Sequence, residues 1–114
     1  MTSIEELARK TCVPCSGGVP PMSREEALAH LPAVPGWTLG EDPPHLVRAY
    51  RFKDFMAAQD FATRVGRVCE AEGHHAEIAY GWGHCAVKFW THKIDGLHEN
   101  DFVMAAKVNQ LPFG

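Results

Sequence analysis

The middle of the chain carries apolar residues at a helical period. They recur at spacings of three and four residues along one helix face: Phe55, Ala58, Ala62, Val65 and Cys69. This helix begins at Asp54, and Gly73 is suited to a left-handed end. Gly66 lies inside the helix, where glycine costs about 1 kcal/mol relative to alanine. We therefore expect Gly66 to permit a close approach of the helix to a sheet.

Strand patterns lie on both sides of this helix. After it, residues 76–82 and 84–91 form two strands of a hairpin, and before it residues 36–39 and 45–53 form another. In the best of these strands the core-facing residues alternate with polar ones: Cys85, Val87 and Phe89. Trp90 falls on the opposite face, so we expect it to be exposed and to lie at a subunit interface.

Three further segments are predicted to be helical, namely residues 3–10, 23–31 and 99–110. Ser23 and Glu26 have the spacing of a capping box at the start of the second. The order is therefore α-β-β-α-β-β-α. Because hairpin strands pair antiparallel, we predict a two-layer α+β fold, a four-stranded antiparallel sheet with helices on one face. We expect oligomerisation to help cover the other face.

The domain organisation follows from the turn-forming residues. Residues 1–22 are predicted to hold a short helix and a Pro/Gly-rich segment, and residues 23–114 to form a single domain. Cys12 and Cys15 form a C-x-x-C in this first segment, but glycines and prolines follow it, which indicates a loop rather than a redox or zinc site.

Composition and charge exclude several classes of function. The chain has 114 residues, 46% of them hydrophobic, and a formal net charge of −3. This charge is small and of the wrong sign for a surface that binds nucleic acid. No apolar run approaches the roughly 20 residues that span a bilayer, and the N-terminus lacks a signal-peptide pattern. We therefore expect a cytoplasmic protein.

Five of the seven histidines lie between Glu70 and Asp101. His74 and His75 stand at the entrance of one hairpin strand and His92 at the exit of the other, which are neighbouring positions in an antiparallel pair. With two carboxylates nearby and no serine or cysteine nucleophile beside them, these imidazoles favour proton-transfer chemistry. Two alternatives remain open, a three-histidine zinc site and no chemistry at all. The other four histidines are interpreted as structural: His30, His45, His84 and His98.

The same stretch resembles the pterin-4a-carbinolamine dehydratase family. The matching residues have that family's spacing and its identities, with an aromatic residue at the position of Trp82: Glu70, His74, His75, Trp82, Thr91, His92, Gly96, Leu97 and Asp101. The N-terminal segments 12–21 and 35–37 are similar to bacterial and plant members as well. The resemblance implies a four-stranded antiparallel sheet with helices on one face, and dimers or tetramers.

The resemblance also implies a reaction, the loss of water from a 4a-hydroxytetrahydropterin to give the quinonoid dihydropterin. No metal or organic cofactor takes part, and the product returns to aromatic amino acid hydroxylases. His74 and His92 are the implied acid/base pair, His75 binds the pterin, and Glu70 and Asp101 provide charge and orientation. The implied pterin-contacting residues are His74, His75, Ala76, Thr91, His92, Lys93 and Ile94.

Ala76 departs from the family pattern, which has proline after the histidine pair. Proline would restrict φ and bias the preceding His75 toward an extended conformation, so alanine loosens this turn without removing a reacting group. Some members of this fold act as partners of other proteins, either as a dimerisation cofactor of a transcription factor or as carboxysome assembly factors, and the latter tend to lose the histidines. A partner-binding role is therefore the alternative, although the retained histidines favour catalysis.

Overall fold

The computed structural model describes residues 4–10 and 20–112, so the predictions for Cys12, Cys15 and the loop around them lie outside the described residues. The main helices and strands are α1 (Ile4–Arg9), α2 (Arg24–His30), β1 (Thr38–Gly40), β2 (His45–Arg51), α3 (Phe55–Glu72), β3 (Glu77–Gly81), β4 (His84–Phe89) and α4 (Glu99–Asn109). Short 3₁₀ turns cover Leu31–Ala33 and His92–Ile94. The predicted order α-β-β-α-β-β-α is confirmed.

The four strands form one antiparallel sheet in the order β1-β2-β4-β3. The two longest strands, β2 and β4, are central, and β1 and β3 are the edge strands among the described residues. Tyr50 of β2 and Tyr80 of β3 both pair with Cys85 of β4, so these three residues lie on one face of the sheet. The predicted two-layer α+β architecture is confirmed.

The helices cover the face of the sheet that carries the core. The N-cap of α3 is Asp54, whose carboxylate accepts a hydrogen bond from the Ala57 amide at 2.8 Å, and its C-cap is Gly73 with φ +66°. α4 is almost wholly buried between α1, α3 and the sheet. Cys69 and Cys85 belong to the core as predicted, and burial raises the pKa of both thiols.

The end of α4 is held by the side chain of Asn109. Its Oδ1 accepts from Trp37 Nε1 and Arg48 Nη1, both at 2.7 Å, and its Nδ2 donates to the Pro35 carbonyl at 3.0 Å. These bonds tie α4 to β2 and to the turn before β1. The C-terminal end of α4 is therefore fixed against the sheet.

Two predictions about individual residues are wrong. A Cβ added at Gly66 would meet nothing within 4 Å, so close approach to the sheet does not require this glycine. Trp90 is half-buried rather than exposed, because its indole is covered by the ring of His92.

None of the described helices is long and apolar enough to span a bilayer.

Candidate active site

Asp101, in the first turn of α4, is the buried centre of the histidine cluster. Its Oδ1 lies 2.6 Å from His74 Nε2, and its Oδ2 accepts from Thr91 Oγ1 at 2.9 Å and from the His98 amide at 3.0 Å. The Asp101 side chain has no exposed surface and that of His74 is 14% exposed. One carboxylate thus joins the entrance of β3, the exit of β4 and the start of α4.

Local structure explains why these segments meet. The left-handed turn at Gly73 ends α3 and directs the chain into the edge strand β3. His74 therefore lies just before this strand. Glu77 pairs with Lys88, so the residues just before β3 lie beside those just after β4. Thr91 forms an isolated bridge with Gly96, which closes the loop that carries His92. The predicted proximity of these two segments is confirmed.

The helix cap orients Asp101. The amide of Asn100 donates to Nδ1 of His98 at 3.1 Å, and Asp101 accepts from the His98 amide in return. This is a capping box with histidine at the N-cap position. His98 is therefore structural, as predicted. An ionised carboxylate only accepts hydrogen bonds, so Nε2 of His74 is the nitrogen that donates to Asp101, and in the neutral imidazole Nδ1 then has the lone pair.

Two consecutive aromatic residues at the end of β4 support two imidazoles. Phe89 lies near-parallel to His74, with ring centroids 6.3 Å apart and planes 19° apart. Trp90 lies parallel to His92, with centroids 4.4 Å apart and planes 4° apart. The sequence analysis missed both contacts. Alternation along β4 indicates opposite faces for the two rings but does not show which side chains cover them.

His75 and Glu70 form a second, separate pair. His75 Nε2 lies 2.6 Å from Glu70 Oε1, but these side chains are 59% and 79% exposed. Both line an open groove of about 520 Å³ between α3 and β3, together with Gly66 and Ala76. The structure therefore places Glu70 with His75 rather than with the buried His74 and Asp101.

The remaining predicted site residues lie on the loop after β4. His92, Lys93 and Ile94 form its 3₁₀ turn, in which His92 and Lys93 are exposed and Ile94 is half-buried. In the part of the chain that the structure describes, no three His, Cys, Asp or Glu side chains converge as metal ligands. The histidines are therefore not arranged there as the zinc alternative would need.

Comparison with known proteins identifies the family of the chain. The sequence profile of the family described as "Pterin 4 alpha carbinolamine dehydratase" matches residues 20–111. A Methylococcus capsulatus protein named "Putative pterin-4-alpha-carbinolamine dehydratase" is 57% identical over 105 residues, covering 92% of each chain. A Cupriavidus pinatubonensis protein of similar name is 52% identical over 110 residues, covering 96% of this chain and 95% of its own.

Solved structures show the same fold. A Brucella melitensis protein titled transcriptional coactivator/pterin dehydratase superposes with a TM-score of 0.71 at 29% identity, over 78% of this chain and 95% of its own. A pterin dehydratase-like RuBisCO assembly factor of the alpha-carboxysome matches at 20% identity with a TM-score of 0.55, over 65% of this chain and 86% of its own, and it shows the fold alone. From its sequence and its fold together, this chain belongs to the pterin-4a-carbinolamine dehydratase family.

Proposed function

We propose that this protein is a 4a-hydroxytetrahydropterin dehydratase, a lyase that acts by histidine acid/base catalysis in tetrahydrobiopterin recycling. The observation that carries the proposal is the buried His74–Asp101–Thr91 arrangement. A hydrogen-bonded carboxylate fixes one nitrogen of His74, so the other nitrogen is available for proton transfer. Aromatic amino acid hydroxylases are the enzymes that would supply this substrate.

The reaction needs one proton donor and one proton acceptor. The C4a–O bond breaks as the hydroxyl takes a proton and leaves as water. N5 loses its proton, and the electron pair of that N–H bond forms the C4a=N5 double bond. Two imidazoles, one charged and one neutral, suit these roles near neutral pH, and His74 and His92 are the pair proposed here. His75, Ala76, Thr91, Lys93 and Ile94 would contact the pterin.

The direct test is turnover. We expect the wild-type protein to accelerate formation of the quinonoid dihydropterin above the spontaneous rate, with 4a-hydroxytetrahydropterin generated in place and the product followed by absorbance. His84→Gln is the matched control, since His84 is exposed at the far end of the hairpin and should leave the rate unchanged. Folded wild-type protein that gives only the spontaneous rate would contradict the proposal and would favour the partner-binding alternative.

We also propose that the protein is a homo-oligomer, formed through the edge strand β3. Large exposed hydrophobic side chains gather around this edge: Phe55, Met56, Tyr80 and Trp82. Phe55 and Tyr80 are in ring contact at 5.8 Å, so these two side chains form one apolar patch, and Met56 and Trp82 lie close to them in the sequence. The open sheet face, by contrast, has the small residues Ala49, Ala79 and Ala86 at its centre. The patch is the better candidate for an isologous contact.

Light scattering after size exclusion tests this contact. We expect a mass of two or four times 12.6 kDa for the wild type. Trp82→Glu should shift the mass toward the monomer, because Trp82 is 71% exposed and a charge there would oppose burial. Leu28→Glu, on α2 and 45% exposed, is the control and should keep the oligomer. A monomeric wild type would refute the oligomer, and an unchanged Trp82→Glu would refute this edge.

A further inference from the structure

The indole of Trp90 is the platform on which the His92 ring lies. The two rings are parallel within 4°, and their centroids are 4.4 Å apart. Trp90 is half-buried, and on β2 the ring of His45 lies 6.1 Å from it. Within residues 4–10 and 20–112, the ring of His92 makes no hydrogen bond or ion pair. Among the described residues, the stack on Trp90 is therefore the side-chain contact that is placed to orient this imidazole.

His74 is oriented in a different way. Its Nε2 is bonded to the buried carboxylate of Asp101, and its ring lies against Phe89 at the longer distance of 6.3 Å. A carboxylate that holds one imidazole nitrogen leaves the other free to accept a proton. An indole face has no acceptor atom, but its negative quadrupole attracts a cation, and tryptophan does so best among the aromatic residues. The two imidazoles thus have unlike surroundings.

We propose that Trp90 is a positioning residue, which fixes the ring plane of His92 and stabilises its imidazolium form, so that His92 is the acid and His74 the base. This inference rests on the proposed function and assigns the two proton-transfer roles within it. His92 gives its proton to the leaving hydroxyl, and Nδ1 of His74 takes the proton from N5. Both imidazoles then exchange protons with water before the next turnover.

Other titratable groups near the stack need controls. His45 contacts Trp90 from β2, and Lys93 and Asp95 follow His92 in the same loop. His45 Nδ1 is bonded to the Pro43 carbonyl at 2.8 Å, so its ring is fixed independently of His92. His45→Gln therefore removes the second imidazole at the indole while leaving the first in place.

Fluorescence of the substrate-free protein tests the stack without any turnover. An imidazolium in contact with an indole quenches its emission, so we expect the emission of a Trp82→Phe background to fall when the pH is lowered from about 8 to about 5. His92→Gln in that background should abolish this step, and His45→Gln should keep it. A step that persists in His92→Gln would overturn the inference.

Kinetics test the role. Trp90→Leu keeps apolar volume but removes the ring, so we expect kcat to fall on the order of tenfold with KM within about twofold, and the alkaline limb of the rate profile to move to lower pH. Trp90→Phe retains an aromatic face and should recover most of the rate. Wild-type activity in Trp90→Leu, or a change in KM alone, would overturn this inference only. Absence of turnover in the wild type would overturn it together with the proposed function.

Discussion

Replacing His74 with alanine should lower kcat on the order of 10²-fold or more, because the variant lacks the group that exchanges a proton with the pterin. His74 is the member of the cluster with the most fixed geometry, since Asp101 holds Nε2 at 2.6 Å and only 14% of the side chain is exposed. Stopped-flow or steady-state assay of dehydration would measure the loss. His84→Ala is the matched control, because it removes an exposed imidazole from the other end of the hairpin.

Loss of the base must be separated from loss of the fold. His74→Gln can still donate an amide hydrogen toward Asp101 but cannot transfer a proton, so it should keep the melting temperature better than His74→Ala and be equally slow. Residues that act as a unit are not additive. The double variant of His74 and His92 should therefore be little slower than either single variant. A His74→Gln enzyme with wild-type kcat would show that His74 orients and does not react.

The candidate site is predictable from the sequence because of the geometry of the hairpin. Because β3 and β4 run antiparallel, residues before the first and after the second must be neighbours, and this placed His74 near Thr91 and His92 without any distance. The fold class followed from the same alternation of strand and helix patterns. Asp101 was predicted to orient an imidazole. The hydrogen bonds of Asp101 to Thr91 and to the His98 amide depend on the angle at which α4 packs against the sheet. A local sequence pattern does not determine this angle.

The wrong predictions concern contacts between a residue of one helix or strand and other segments of the chain. Alternation along β4 assigns Trp90 to the outer face, but the loop after the strand returns the His92 ring over that face. A glycine inside a helix indicates that a side chain is absent there, which suggests a close contact with the sheet. The space beside Gly66 instead opens into the groove between α3 and β3. Glu70 lies one turn before the histidine pair, so its sequence position is compatible with a contact to either histidine. The structure shows that its exposed side chain contacts His75.

Asp101 and Glu70 provide a comparison between two His–carboxylate contacts of equal length. Both distances are 2.6 Å, but the Asp101 side chain has no exposed surface whereas that of Glu70 is 79% exposed. Asp101→Asn replaces a carboxylate oxygen, which accepts hydrogen bonds, by an amide NH₂ group, which donates them. If this group faces the Thr91 hydroxyl and the His98 amide, these two buried donors lose their acceptor. We expect a loss of on the order of 3 kcal/mol in the free energy of unfolding. Chemical denaturation measures it directly.

The same substitution should also lower kcat on the order of 10²-fold, because an amide does not hold His74 in the tautomer that leaves Nδ1 free. Glu70→Gln is the control. Its partner His75 remains solvated, and surface pairs contribute little, so the unfolding free energy should stay close to that of the wild type. If Asp101→Asn is as stable as Glu70→Gln, the buried carboxylate is not the junction of the three segments. If it is unstable but fully active in the folded fraction, Asp101 supports the fold alone, and His74 is oriented by its stack on Phe89.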